Sequence, residues 1–428
     1  MNKSNIAGIL IFLSFIISIY SYFFQKDLLI VSGSFSWFAF ILLFSSLKNK
    51  KFLYTLFALS FLTFLLCIVN DYKIDFYKVF TVNQYLITLL IAVGFLRLIA
   101  TPKKAKIKEL PKGEASFLKT YLGVHLFGSV INLSSLILVA DKMYKKASLT
   151  NTQIVLLTRA FASDAYWSPF FVAFAAAITY APKLDTLTIV LNGIVLALIG
   201  FLITYLEVKK DKKFNLNEFR GYPISFDTIY LPIILAFFVL LTHTFFPEIK
   251  VIIFISLFSF VLTLIVIPVK YSSLKSKIKL KNHILEELPK MKTELSLFLV
   301  AGMFGILVGS ILLGLNFQVP FKEFDWFVAS ILLAIFIILG FVGIHPIITI
   351  AVIGDFLSGV NHTLLAITFL MAWSTTVSTS PFSGLNLTIV ARYNYDAKEI
   401  LKLNIFYAIK MYLVCTFCLF ILSNYILM

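Results

Sequence analysis

The chain has 428 residues, of which 60% are hydrophobic and only 14% charged, and its formal net charge is +16. A soluble globular domain is about half apolar and about a quarter charged. This composition therefore excludes an ordinary soluble fold and predicts an all-α, polytopic helical membrane protein with about 10–13 membrane segments. A transmembrane β-barrel is disfavoured, because its strands alternate polar and apolar residues and contain no long apolar runs.

Apolar runs of membrane-spanning length follow one another along the whole chain. They cover residues 7–24, 28–46, 52–69, 84–100, 117–140, 152–181, 186–206, 229–246, 250–268, 295–315, 326–357, 362–391 and 401–424. The first run follows the residues MNKSN with no small-residue cleavage site, so we expect a retained helix rather than a cleaved signal peptide. Ser-Pro interrupts the runs 152–181 and 362–391, and Gly-Ile-His-Pro interrupts the run 326–357.

The basic residues are concentrated in connectors between the runs. These connectors are 47–51, 101–113, 207–213 and 270–292. The positive-inside rule places them in the cytoplasm, together with the N-terminus, and we expect a bacterial-type inner membrane. One basic cluster, residues 141–146, falls on the outer side in this scheme. Nucleic-acid binding is not expected, because no basic stretch outside the membrane segments is interleaved with stacking aromatic residues.

Two short motifs occur twice and in the same order. Gly123–His125 reads GVH and Gly343–His345 reads GIH, while Trp167–Phe170 reads WSPF and Thr379–Phe382 reads TSPF. Counting membrane crossings, the two blocks enter the membrane from opposite faces, which indicates the inverted repeat of many secondary transporters. The alternative is chance similarity of short motifs in a biased composition. The expected parts are scaffold helices 1–100, transport repeat 117–206, linking helices with a basic loop 207–294, and transport repeat 295–428.

Proline residues break the long runs at Pro169, Pro346 and Pro381. Proline removes a backbone donor and clashes with the preceding turn. Such breaks persist at membrane depth only where the backbone is buried in protein or lines a wet cavity, and the freed groups can bind ions or anionic solutes. The segment 373–388 is dense in Ser, Thr and Asn, whose oxygens suit Na⁺. The alternative is that these small polar residues only pack helices closely.

The second block, GIHPIITIAVIG followed by STSPFSGLNLTIVAR, resembles the ion transporter superfamily. Its pattern is similar to the large membrane subunit of TRAP (tripartite ATP-independent periplasmic) transporters and to divalent anion:Na⁺ symporters. The resemblance spans residues 117–206 and 326–424, and it implies inverted repeats, re-entrant hairpins and an unwound helix that binds Na⁺ and carboxylate. The first block matches only loosely, at Ile131–Ser135. The positions matched in the second block are Thr379, Ser380, Pro381, Gly384 and Asn386.

Charged side chains at membrane depth are costly and usually functional. Arg159 is expected to bind a carboxylate or phosphate of the solute through its planar donor fork. Asp164 and Asp355 are expected to couple H⁺ or Na⁺. The alternative for Arg159 is a structural ion pair with Asp164. Asp141, which is next to Lys142, is expected at the membrane interface.

The motif histidines, His125 and His345, are interpreted either as polar contacts between helices or as proton carriers, since imidazole titrates near neutral pH. The complete set of expected site residues has two parts. Solute binding is assigned to Arg159, Ser168, Thr379, Ser380 and Asn386. Ion coupling is assigned to Asp164, Asp355, Ser378, Gly384 and His345.

No enzyme motif is recognisable, since the chain has no HExxH, no phosphate-binding glycine loop and no cysteine cluster. Cys67, Cys415 and Cys418 all lie in apolar runs. We therefore expect no catalytic residues, no metal site and no cofactor other than a coupling ion. The expected partners are the lipid bilayer, a small-molecule or ion substrate and further copies of the chain in a homo-oligomer.

These observations favour a secondary active transporter that moves a small anionic organic solute by alternating access, driven by Na⁺ or H⁺. One alternative is an integral-membrane glycan polymerase or ligase. That class usually has a large external loop, whereas the longest external connector here is 70–83. The other alternative is a non-catalytic membrane scaffold subunit, which requires no wet central cavity.

Overall fold

The protein is helical throughout the part of the chain that the structure, a computed structural model, describes. The described residues are 2–47, 50–100, 109–211, 213–223, 230–354, 356–357 and 359–427. No β-strand occurs among them, and nine of their helical segments are long and apolar enough to cross a membrane. The prediction of an all-α, multi-pass membrane protein is confirmed.

Nineteen α-helices follow one another in the described ranges. They are α1 (Lys3–Phe23), α2 (Leu29–Leu43), α3 (Lys50–Val69), α4 (Phe76–Thr81), α5 (Gln84–Ala100), α6 (Glu114–Ile131), α7 (Leu133–Tyr144), α8 (Asn151–Ala162), α9 (Val172–Tyr180), α10 (Thr186–Lys210), α11 (Tyr230–Phe245), α12 (Val251–Lys270), α13 (Ser273–Asn282), α14 (Lys292–Gly314), α15 (Trp326–Val342), α16 (Pro346–Ile353), α17 (His362–Thr379), α18 (Gly384–Tyr393) and α19 (Ala397–Ile421). A 3₁₀ turn, Ser163–Tyr166, follows α8 directly.

The helix breaks agree with the sequence at the prolines and differ at one further position. The run 326–357 is interrupted as predicted, at Gly343, whose φ is +106°. The run 117–140 was predicted to be continuous, and this is wrong because Asn132, with φ +51°, ends α6 and precedes α7. Asparagine tolerates positive φ better than most residues, so it can end a helix without a nearby proline.

The contacts divide the chain into two compact units. The first unit comprises Met1–Ile99, Ile234–Pro320 and Ile347–Gly359, and the second comprises Ala100–Ile233, Phe321–Pro346 and Val360–Met428. Helix α14, which the sequence assigned to the repeat 295–428, belongs to the first unit and packs along α3. Both Ser-Pro motifs lie in the second unit.

Large apolar side chains are exposed along several of the long helices. On α3, the side chains of Phe61 and Ile68 are 61% and 54% exposed, and on α10 those of Leu191 and Leu198 are 55% and 62% exposed. Apolar helix faces of this extent are stable against hydrocarbon and not against water. These faces therefore contact the lipid bilayer.

The first unit contains a buried polar cluster between α1, α2 and α5. The Gln84 side-chain amide donates to Ser14 Oγ at 2.6 Å and to Ser32 Oγ at 2.8 Å, and Ser36 Oγ donates to Gln84 Oε1 at 3.1 Å. All four side chains are almost fully buried. Hydrogen bonds between polar side chains hold membrane helices together, so this cluster joins α1, α2 and α5.

Replacing Gln84 with leucine removes three hydrogen bonds between helices at nearly constant side-chain volume. We expect Gln84→Leu to lower the free energy of unfolding by about 1–2 kcal/mol, measured by denaturant titration of the purified protein in lipid or detergent. Ser34→Ala is the matched control, because in the described part of the chain Ser34 Oγ donates to the Ile30 carbonyl of its own helix and joins no second helix. Equal stability of the two variants would contradict the role of the cluster.

The core of the second unit is formed by α8 and α17. Every residue of α17 is buried, as is every residue of α8 except Asn151. A helix that is covered on all sides lies in the interior of the protein. The polar residues of these two helices are thus shielded from lipid, and both helices lead directly into a Ser-Pro break.

Candidate functional site at the paired helix breaks

The two Ser-Pro breaks make the same hydrogen bonds. Ser168 Oγ donates to the Ser129 carbonyl in the last turn of α6 at 2.5 Å, and Ser380 Oγ donates to the Gly340 carbonyl in the last turn of α15 at 2.7 Å. Each hydroxyl also accepts from the backbone N–H two residues further on. Each Ser-Pro motif therefore satisfies its own backbone and joins one broken helix to another, which is the condition for irregular backbone at membrane depth.

The helices that follow the breaks repeat at a constant distance along the chain. Helix α9 begins at Val172 and α18 at Gly384, which is 212 positions later. Helices α10 and α19 both have 25 residues and are capped by Asp185 and Asp396, which are 211 positions apart. An offset of 211–212 therefore relates the two blocks element by element.

This alignment separates the two motif histidines. His125 lies four positions before Ser129, inside α6, whereas His345 lies five positions after Gly340, in the break between α15 and α16. They occupy different places in the repeat, so pairing GVH with GIH was wrong. The residues whose carbonyls accept from the Ser-Pro serines are equivalent instead. Ser129 lies 39 positions before Ser168, and Gly340 lies 40 positions before Ser380.

Contacts between the blocks are reciprocal. The Lys183 N–H donates to His362 Nδ1 at 2.9 Å, and the equivalent pair joins Tyr395 and Asn151, with the Tyr395 hydroxyl 2.8 Å from Asn151 Oδ1. One contact is its own equivalent: Ser374 Oγ donates at 2.8 Å to the carbonyl of Ala162, its counterpart 212 positions earlier. Reciprocal and self-equivalent contacts are the signature of a two-fold relation.

The closing helices show that the repeat is inverted. Asn192 near the start of α10 donates to Cys418 near the end of α19 at 2.8 Å. Gly200, further along α10, faces Met411, which is earlier in α19. The two helices therefore run antiparallel, and the pseudo-two-fold axis is perpendicular to them. The predicted inverted repeat with broken helices is confirmed for the second unit.

The first break carries a buried acid. Asp164 lies in the Ser163–Tyr166 turn with its side chain fully buried, and its Oδ1 is 2.8 Å from Nδ1 of His125 on α6. The hydrogen bonds of the same Nδ1 go to the Ala160 carbonyl at 3.1 Å and to Ser163 Oγ at 2.9 Å. Within the described residues, neither Oδ1 nor Oδ2 of Asp164 has a partner with hydrogen-bond geometry. The buried negative charge of Asp164 therefore lacks the hydrogen bonds that would stabilise it.

The second break has a hydroxyl where the first has the acid. Thr376 is the counterpart of Asp164, 212 positions later, and both pack against a helical glycine. A Cβ at Gly128 would lie 2.2 Å from Asp164 Oδ2, and a Cβ at Gly340 would lie 2.2 Å from Thr376 Cγ2. Only glycine permits these approaches. The two repeats therefore share the packing against glycine at this position, but the side chain is a carboxylate in the first and a hydroxyl in the second.

Asn386 organises the second break. Its side-chain amide lies 2.9 Å from the carbonyl of Ser380, 3.3 Å from that of Ser378 and 3.4 Å from that of Val377. Ser383 Oγ caps α18 by accepting from the Asn386 N–H and donates to the Val377 carbonyl. In the described structure, Asn386 Oδ1 is buried with no hydrogen-bond partner. Asn386 Oδ1 is therefore a free acceptor at this break.

A small cavity lies beside this break. Its volume is about 10 Å³, and its lining includes His345, Thr376 and Ser380. Thr376 Oγ1 has no partner among the described residues, and the His345 ring packs edge-on against Trp373 with centroids 5.0 Å apart. The cavity has room for about one water molecule, which makes it the size of an ion site and not of a solute site.

The other predicted site residues have varied surroundings. Thr379 is fully buried, with its hydroxyl 3.1 Å from Ser378 Oγ, whereas Gly384 is exposed at the start of α18 with open space where a Cβ would be. Pro346 is the first residue of α16, where a missing N–H costs nothing. Asp355 lies outside the described residues. The remaining breakers, Pro169 and Pro381, each follow the serine of a Ser-Pro motif.

Arg159 is fully buried and bound on every side by protein groups. Its Nε donates to Asn404 Oδ1 and one terminal nitrogen donates to the Leu403 carbonyl, both at 2.8 Å. The other terminal nitrogen is 3.1 Å from Glu207, and the guanidinium carbon lies 4.3 Å from the centre of the Tyr407 ring. Arg159 thus joins α8 of the first repeat to α19 of the second.

These contacts correct one sequence interpretation and qualify another. Arg159 pairs with Glu207 and not with Asp164, so the ion pair Arg159–Asp164 was wrong. Solute binding by Arg159 stays a prediction, and its donors are engaged. Asp141 makes a two-point pair with Arg392 at 2.9 Å, with both side chains substantially exposed. Sequence reasoning missed Glu207 because it opened a stretch interpreted as a loop, whereas α10 continues to Lys210.

A double-mutant cycle tests whether Arg159 is a buried connection between the repeats. We expect Arg159→Met, which introduces the residue found at the equivalent position 371, to lower the free energy of unfolding by about 3–5 kcal/mol, because Glu207 keeps only Lys410, 3.5 Å away, as a partner in the described structure and Asn404 Oδ1 loses its donor. Adding Glu207→Gln is expected to restore part of that loss. The exposed pair is the control, since Arg392→Met is expected to cost about 0–1 kcal/mol. Equal losses at both arginines would contradict the assignment.

No protein-family model matches the chain, and no curated protein is significantly similar to it. Membership of the ion transporter superfamily accordingly stays a prediction from the motif around Ser380. The inverted repeat, the paired breaks and the buried Asp164 stand on the contacts of the second unit alone. The function is therefore argued from that geometry.

Proposed function

We propose that the protein is a secondary active transporter that moves a small anionic organic solute across the membrane by alternating access, coupled to Na⁺ or H⁺. The observation that carries the proposal is the inverted repeat, whose two helix breaks flank a pseudo-two-fold axis. Inverted repeats with broken helices are the architecture on which many secondary transporters alternate between their two open states. A scaffold subunit needs neither the breaks nor a buried acid next to one of them.

The half-helices support an anionic solute. Helices α9 and α18 each begin at a break, at Val172 and Gly384, and a helix N-terminus carries a partial positive charge and free N–H groups. Gly384 leaves open space at the start of α18. Because Arg159 is engaged with Glu207, the helix ends are the better candidates for binding a carboxylate. The cavity near Thr376 is too small for an organic solute, so solute entry requires a break to open.

The two breaks support different kinds of ion coupling. The first contains a carboxylate, Asp164, whose charge can be neutralised by a proton or a cation. The second contains uncharged oxygens with free acceptor capacity, on Asn386 and Thr376, of the kind that binds Na⁺. This chemistry is consistent with the resemblance to TRAP-type and divalent anion:Na⁺ transporters. A bacterial inner membrane, a cytoplasmic N-terminus and homo-oligomers belong to the same proposal.

Uptake by the purified full-length chain in liposomes tests the proposal. The probes are radiolabelled succinate, citrate and lactate, each offered with an imposed Na⁺ gradient, an imposed pH gradient or neither. We expect at least one probe to accumulate above protein-free liposomes and to require one of the gradients. Lack of accumulation for every probe, with protein that remains folded after reconstitution, would count against transport of small organic anions.

Two glycine variants provide matched controls for the uptake assay. Gly340→Ala places a methyl group 2.2 Å from Thr376 Cγ2 and is expected to abolish most of the uptake by forcing the second break apart. Gly309→Ala, on α14 in the first unit, meets no atom within 4 Å and is expected to leave the break intact. Thermal unfolding of both variants separates lost transport from lost folding. Normal uptake by Gly340→Ala would show that this break does not participate.

A further inference from the structure

We infer that Asp164 and His125 form a proton-binding site, in which a hydrogen bond from Trp167 fixes His125. This inference deepens the proposed transporter function, on which it rests, by naming H⁺ as the coupling ion at the first break. Asp164 takes up one proton at Oδ2 and becomes a neutral carboxylic acid. The proton comes from water on the accessible side of His125 and leaves by the reverse step.

The hydrogen bonds fix the proton on His125. Trp167 Nε1 is 3.2 Å from His125 Nε2, and an indole nitrogen can only donate. His125 Nε2 must therefore accept, which leaves the ring neutral with its single proton on Nδ1, facing Asp164 Oδ1. A neutral imidazole does not supply the positive charge that a buried carboxylate needs. Protonation of Asp164 itself removes that charge.

The surroundings of Asp164 Oδ2 suit a proton and not a metal cation. This oxygen lies against the backbone of α6, where a Cβ at Gly128 would come within 2.2 Å of it. The same Cβ would have the Phe161 ring at 3.2 Å and Ser135 Oγ at 3.3 Å. Hard cations need a shell of several oxygen ligands, whereas a proton needs none. The described residues also contain no group of three or more His, Cys, Asp or Glu side chains that could hold a metal.

Few other ionisable groups face the pair. Helix α6 contributes Tyr121 besides His125, and the turn itself contributes Tyr166. The only charged residue of α8 is Arg159, which is engaged with Glu207. Helix α17 presents the Ser374 and Thr375 hydroxyls, α9 has no acidic or basic residue, and α10 packs on the turn through Gly193. None of these contacts supplies a positive charge to Asp164.

The site is mechanically connected to the break. Trp167 immediately precedes Ser168, so movement of the Ser-Pro segment breaks the bond between Trp167 and His125. His125 is 13% exposed while Asp164 is fully buried, so His125 is the more accessible member of the pair. Release of Nε2 lets His125 exchange protons with water and with Asp164. Proton occupancy and the position of the break are thereby coupled, each biasing the other.

Infrared difference spectroscopy of the full-length protein in lipid tests this site without any solute. Spectra recorded through a titration from about pH 4 to about pH 10 are expected to contain a carboxylic-acid C=O band that is lost in Asp164→Asn. Asp141→Asn is the matched control, because it removes a half-exposed carboxylate of the same unit and is expected to keep the band. A band that persists unchanged in Asp164→Asn overturns the inference.

A second variant keeps the test decisive if Asp164→Asn does not fold. His125→Gln retains the acid and is expected to shift the midpoint of the band by about one pH unit, because the partner of the carboxyl has changed. An unchanged midpoint overturns the inference. A clear Asp164 signal without uptake of any probe would refute the transporter and keep the proton site. Uptake driven by a gradient, with no Asp164 signal, would support the transporter and refute the proton site.

Discussion

A helix that is broken inside hydrocarbon leaves backbone carbonyls that must find a donor within the protein. In the second unit, Ser168 and Ser380 supply that donor, each reaching the last turn of another broken helix. The rest of the repeat follows from this requirement. The bonded helices must end at positive φ so that the chain can turn away, and a glycine must precede each end so that the break can pack closely.

The two repeats share these backbone hydrogen bonds and glycine contacts, but they differ in their buried side chains. Asp164 on one side corresponds to Thr376 on the other, and Arg159 corresponds to the buried Met371. Charge is therefore concentrated in the first repeat, and uncharged oxygen ligands in the second. The second unit is therefore symmetric in its backbone and asymmetric in its buried side chains, which is the basis of the proposal that the two breaks have different roles.

Composition was sufficient to predict a helical, multi-pass membrane protein, because apolar runs of spanning length have few other uses. The Ser-Pro breaks were also predictable, since a local backbone requirement determines them. The pairing of His125 with His345 failed because short motifs match by chance in an apolar chain: these histidines are 220 positions apart, whereas Ser168 and Ser380 are 212 positions apart. The partnership of Arg159 with Glu207 and Asn404 depends on tertiary contacts that no local pattern encodes.

Cysteine labelling from one side of the membrane tests the inverted repeat most directly. Cysteines introduced by Lys210→Cys and Tyr425→Cys, in a background lacking Cys67, Cys415 and Cys418, mark exposed positions at the ends of α10 and α19. Because these helices are antiparallel counterparts, an impermeant maleimide applied from outside should label only one of the two positions in intact cells, and the other only after permeabilisation. Labelling of both positions from the same side would contradict the inverted repeat.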